Sequence, residues 1–122
     1  MTKKSRNHIH YLEDMLESMR RIQRYTEGIS FEEFTLSTLK TDAVIRNLEI
    51  IGEASKNVPE SLKSKYPEIP WRSMYGLRNY MVHEYFGVDL NNIWKIINDE
   101  LPENIIDLMT IIKSEKDDNF NN

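Results

Sequence analysis

Cysteine is absent from this 122-residue chain, so neither a disulfide framework nor a thiolate metal site is available to it. A reducing compartment fits that absence, and the cytoplasm is the expected location. Long apolar runs are missing too. None approaches the roughly 20 residues that a membrane-spanning helix needs, so no membrane association is expected. Met1-Thr2-Lys3-Lys4-Ser5-Arg6 is basic, but no apolar stretch follows it, and a secretory signal is not expected. Nor is there an excess of positive charge: 16 Lys and Arg stand against 20 Asp and Glu, a formal net charge of −4. That balance excludes a generally basic nucleic-acid coat, and any RNA or DNA contact must use a local patch. Several familiar chemistries also lack their residues. There is no Gly-rich phosphate loop, no Gly-x-Ser-x-Gly elbow and no His-Glu-x-x-His zinc helix. No cofactor is expected.

Glycine and proline are scarce, at 4 each, and between them the apolar spacing is helical. Hydrophobic residues make up 39% and charged residues 30%, an ordinary balance for one folded domain with a single core. From His8 to Glu27, Ile9, Leu12, Leu16, Met19 and Ile22 form an amphipathic stripe, and Gly28 is placed to end that helix. Ser30-Phe31-Glu32-Glu33 has the form of a capping box. A second long helix is predicted from Ser37 or Asp42 to Asn57, where Pro59 follows. Its apolar set of Ala43, Val44, Ile45, Leu48, Ile50, Ile51 and Ala54 covers most of its circumference, so it needs cover on more than one side. A second copy of the chain is one source of that cover, and the bundle's own core is another. Pro59 to Pro70 reads as a connector with one helical turn around Glu60–Lys63. A third helix is predicted from Trp71 to Tyr85, and Asp89 is a good N-cap for a fourth. Pro102 either kinks that fourth helix or opens a new one. Residues 114–122 show no periodicity and read as a frayed polar tail, leaving 1–113 as the folded unit. The expected fold is all-α, a four- to five-helix bundle.

Few residues offer chemistry. His8 and His10 point about 200° apart on a helix and cannot share a metal, so both read as surface residues. Glu49 and Glu53 share one helical face and could in principle bind a metal, but carboxylates paired near Arg46 are the simpler reading. Gly52, in the middle of a helix, reads as a close-packing point. Trp71, Trp94 and the six methionines sit at helical spacing and read as core. What remains is Leu77-Arg78-Asn79-Tyr80-Met81-Val82-His83-Glu84-Tyr85-Phe86-Gly87, where Arg, Asn, His and Tyr gather around a helix end. Taken alone, these side chains could simply cap carbonyls and pair with Glu84.

Three segments together carry more. Ala43-Val44-Ile45-Arg46-Asn47-Leu48-Glu49-Ile50-Ile51-Gly52-Glu53-Ala54, Pro67-Glu68-Ile69-Pro70-Trp71-Arg72, and Arg78-Asn79 with His83-Glu84-Tyr85-Phe86-Gly87-Val88-Asp89 resemble the HepT-like branch of the HEPN superfamily. That branch comprises prokaryotic toxins paired with a minimal nucleotidyltransferase antitoxin. The resemblance implies a HEPN-type bundle that forms a twofold homodimer and acts as a metal-independent endoribonuclease. Arg78 and His83 match its catalytic pair, Asn79 matches its supporting polar residue, and Tyr85 matches the tyrosine that an MntA-like antitoxin adenylylates. The substrate implied is RNA, transfer or messenger. The chemistry of these side chains is compatible with it. An imidazole suits proton transfer near neutrality, and a guanidinium forks onto phosphate oxygens. On a regular helix Arg78 and His83 point about 140° apart, an awkward angle for one phosphate, and a twofold dimer supplies two of each. The alternative is a HEPN binding module without nuclease activity that docks a nucleotidyltransferase or a nucleotide.

Overall fold

The computed structural model describes the backbone of residues 8–84 and 87–121, with side chains as far as 118. Every regular element among the described residues is helical, and no strand forms. The first helix, α1 (His8–Thr26), buries Ile9, Leu12, Met15, Met19 and Ile22, spaced three and four apart, while Leu16 lies at the edge of the stripe. Gly28 follows at φ +75°, the left-handed conformation that lets the chain leave a helix without strain. Ser30 then starts α2 (Phe31–Leu36) with a complete capping box. Its backbone N–H donates to Glu33 Oε1 at 2.9 Å, and the Glu33 N–H donates to Ser30 Oγ at 3.1 Å. Ser37 ends α2 and caps α3 (Thr38–Asn57) by accepting the Lys40 N–H at 3.2 Å.

After Pro59 comes the short α4 (Glu60–Lys65), then α5 (Trp71–His83). Asp89 caps α6 (Leu90–Lys95), as its position suggests, by accepting the Asn91 N–H at 2.9 Å. The rod then continues through a π-helical turn, Ile96–Glu100, into α7 (Leu101–Asn121). Pro102 explains that turn. It has no N–H to give, and its ring crowds the carbonyl four residues back. The ladder relaxes just before it: the Leu101 N–H donates to Ile96 O, and the helical dihedrals persist on both sides. Proline thus stands in the first turn of α7, where its missing donor costs least.

The expected frayed tail is corrected. Residues 114–121 are helix, and the boundary expected at 113 falls inside α7. The cause is polar rather than apolar, which is why periodicity does not reveal it. Glu115 is only 5% exposed and accepts from Tyr66 OH at 2.7 Å and Lys65 Nζ at 2.9 Å, with His8 Nε2 at 3.1 Å. Burial pushes this carboxyl up, but the hydrogen bonds from Tyr66, Lys65 and His8 outweigh it and leave it below its ordinary value. Lys65 also reaches Asp118 at 3.0 Å, and Lys116 pairs with Glu13 at 3.0 Å. His8 therefore serves this network rather than standing free on the surface, whereas His10 is exposed.

Three helices form the centre, with α3 packed between α1 and α5, and α7 lies along α1. Most of the broad apolar face of α3 is thereby covered within the chain: Val44, Ile45, Leu48, Ile51 and Ala54 are buried, while Ala43 and Ile50 are only half-buried. No helix among the described residues is long and apolar enough to cross a membrane.

Candidate active site

The site begins with a glycine. A Cβ on Gly52 would lie 2.5 Å from Arg78 Cβ and 2.8 Å from both Arg78 N and Met74 O. Only a bare α-carbon lets α5 approach α3 this closely, so the close-packing reading of Gly52 holds. The contact has a direct result one residue on. Arg78 Nε donates to Glu53 Oε2 at 3.0 Å, and its NH1 nitrogen donates to Asn79 Oδ1 at 3.1 Å. The guanidinium is thus held on two sides, and Arg78 borders a groove of about 380 Å³ bounded by α1, α3 and α5. Tyr11, Arg46, Glu49 and Val82 share that groove with Arg78 and Glu53. Arg78 and Glu53 are 37% and 52% exposed at their side chains, so the pair is worth at most about 1 kcal/mol. A phosphate, which accepts the same fork more strongly, can compete for it.

His83 is the last residue of α5, and its side chain is exposed. The chain beyond it is fixed at both ends. The Glu84 N–H donates to Tyr80 O at 2.9 Å, and Tyr80 OH accepts the Asp89 N–H at 2.9 Å, tying the start of α6 to the last turn of α5. Arg78 and Asn79 are therefore brought together, whereas His83, at the end of the same helix, does not line the groove that Arg78 borders. Tyr85 lies outside the described residues. Glu49 pairs with Arg46 at 3.5 Å, while Glu53 turns across to α5. Among the described residues no group of three or more His, Asp or Glu is placed to hold a metal ion.

Glu53 as the partner of Arg78 is the residue that sequence reasoning missed. Spacing along α3 shows only that Glu53 shares a face with Glu49. The one available signal was its position next to Gly52, since a close-packing glycine puts its neighbour within reach of the opposite helix.

The described residues form an all-helical bundle, the architecture of an all-α HEPN domain, and Arg78, Asn79 and His83 lie on one of its helices. More specifically, the chain belongs to the ribonuclease HepT-like family, whose model matches residues 15–111. It is 47% identical over 97 residues to the "Probable ribonuclease HepT" of Thermococcus cleftensis, covering 80% of this chain and 88% of that one. It is 43% identical over 103 residues to a "Putative RNase" of Methanocaldococcus jannaschii, covering 84% and 85%. A protein of Caldanaerobacter subterraneus that bears the same description is 41% identical over 106 residues, covering 87% and 95%. No solved structure matches the chain.

Proposed function

We propose that this protein is a metal-independent endoribonuclease in which Arg78 and His83 act directly on an RNA phosphodiester. Membership of a ribonuclease family supports RNA as the substrate. The observation that supports the residue assignment is the guanidinium of Arg78, held by Glu53 and Asn79 beside an open groove, on the helix that ends in His83. The reaction needs no group beyond the chain and its substrate. An imidazole takes the proton of a ribose 2′-OH, the 2′-oxygen bonds to the adjacent phosphorus, and the bond to the 5′-oxygen breaks. That leaving oxygen takes a proton from an imidazolium, giving a 2′,3′-cyclic phosphate and a 5′-OH. The guanidinium stabilises the charge gathered on the phosphorane oxygens. One imidazole cannot serve both sides of the phosphorus at once, and a twofold homodimer supplies the second.

The biological setting we propose is a toxin–antitoxin pair, with a minimal MntA-like nucleotidyltransferase as partner. It adenylylates Tyr85, placing a bulky group and a phosphate charge two residues from His83, where both oppose RNA binding. The test is cleavage of transfer and messenger RNA with and without EDTA, for the native chain and for His83→Ala. Activity that survives EDTA and disappears in the variant is expected. Loss in EDTA, or full activity in His83→Ala, overturns the mechanism. The rival reading, a docking module without catalysis, draws on Glu53 already occupying Arg78. Binding of the nucleotidyltransferase or of a nucleotide by a native protein that does not cleave RNA would support it.

A further inference from the structure

Four of the positions on α5 form a single row: 72, 76, 79 and 83, with 75 and 82 beside it. Two of them, Asn79 and His83, belong to the site already described. The other half of the row has no assigned purpose. Arg72 is exposed and forms no ion pair among the described residues. Tyr75 is half-buried, and Lys56, also exposed, holds its Nζ 5.8 Å from the Tyr75 ring centroid. A groove of about 560 Å³ opens between α4 and the start of α5, lined by Tyr75, Arg72, Lys63 and Glu60 among others, with Lys63 paired to Glu60 at 3.7 Å. Tyr75 thus carries a cation from α3 against its ring and also borders this groove.

Gly76 adds an independent observation. A Cβ there would meet nothing within 4 Å, in contrast to Gly52. A glycine in a helix interior is unfavourable, and here no packing inside the chain requires it. A bare backbone between Arg72 and Asn79 instead lets something from outside come close.

We infer that Lys56, Arg72 and Tyr75 form a second RNA subsite, which holds the nucleotide next to the one being cut. This rests on the ribonuclease reading and deepens it. An aromatic face flanked by cations is the usual platform for an unpaired base with its phosphates, and in a chain of net charge −4 such a cluster stands apart. The base packs on Tyr75 from the groove, its phosphates meet Arg72 and Lys56, and the ribose passes over Gly76 along the row towards Asn79 and His83. Along the helix Arg72 and His83 are about 16 Å apart, so the row is long enough to carry more than one nucleotide.

The experiment measures binding of a single-stranded 2′-O-methyl RNA, which lacks the attacking hydroxyl, by fluorescence anisotropy across a salt series. Cleavage of the matching unmodified RNA is followed in parallel. Tyr75→Leu, which keeps the apolar bulk, is expected to weaken binding about five- to hundredfold, whereas Tyr75→Phe keeps it. Arg72→Gln and Lys56→Gln each shallow the dependence of log Kd on log salt by about 0.7 for every phosphate that the variant leaves unneutralised. Gly76→Ala raises Tm yet weakens RNA binding, a combination that a purely structural glycine does not give. If the native chain binds and cleaves RNA while all of these variants bind as tightly as it does, the subsite is wrong and the ribonuclease reading stands. If the native chain neither binds nor cleaves RNA, that reading falls and the subsite with it. If the variants change the mass in light scattering but not the affinity, this row is a contact between copies and the inference is overturned.

Discussion

The guanidinium of Arg78 meets Glu53 on one side and Asn79 on the other, and each partner does something different to an incoming phosphate. Asn79 is neutral and only orients. Glu53 orients as well, but its charge repels the substrate. Glu53→Gln keeps an oxygen for Arg78 Nε and removes the charge, so the expected outcome is a lower KM for RNA. Glu53→Ala removes the orienting carboxylate, and kcat is expected to fall while the melting temperature barely moves, because the pair is exposed. Steady-state kinetics beside a thermal melt separates the two. Loss of the reacting groups should be far larger. Arg78→Ala and His83→Ala are each expected to lower kcat/KM by about 10²–10⁴ with the circular dichroism unchanged. Tyr85→Phe belongs to the same scale. Co-expressed with the proposed antitoxin, it should stay toxic and gain no AMP by intact mass.

Among the helices, the contact between α3 and α5 is the least forgiving. Gly52→Ala drives a methyl into the backbone and Cβ of Arg78 and the carbonyl of Met74, none of which is the free end of a side chain. A loss of about 1–3 kcal/mol is expected, read as a lower midpoint in urea. The anchoring of α7 should respond to pH. Glu115 has its folded-state pKa depressed, so its contribution to stability is present above the ordinary carboxylate range and is lost as pH falls through that depressed value. The native chain is therefore expected to lose stability on acidification, and Glu115→Gln to lose part of that dependence while melting lower at neutral pH. Equal slopes of Tm against pH below the carboxylate range would show that the network does not couple to folding. Removing residues 114–122 should destabilise for the same reason.

At the scale of the whole molecule, legibility follows distance along the chain. The capping box at Ser30, the turn at Gly28 and the cap at Asp89 each depend on residues within four positions, and each is visible in the sequence. The all-helical class is visible too, because apolar spacing repeats over every long segment. Contacts across the fold are not. Glu53 meets Arg78 from 25 residues away, and Glu115 meets Lys65 and His8 from 50 and 107. The π-helical turn lies between, since Pro102 announces a disturbance without saying which kind. The proposed twofold homodimer belongs to this scale as well. Light scattering at micromolar concentration is expected to give twice the chain mass, and a monomer that still cleaves RNA would remove the need for a second imidazole.

Gly52 also makes the spacing between two helices an adjustable quantity. The residue touches no substrate, yet it sets how far α5 stands from α3 and so where Arg78 meets Glu53. Substitutions there, graded from alanine to serine, should yield proteins that keep Arg78, Asn79 and His83 and differ in stability and in how Arg78 is placed against Glu53. On the toxin reading proposed above, such a series would offer graded toxicity from a single codon.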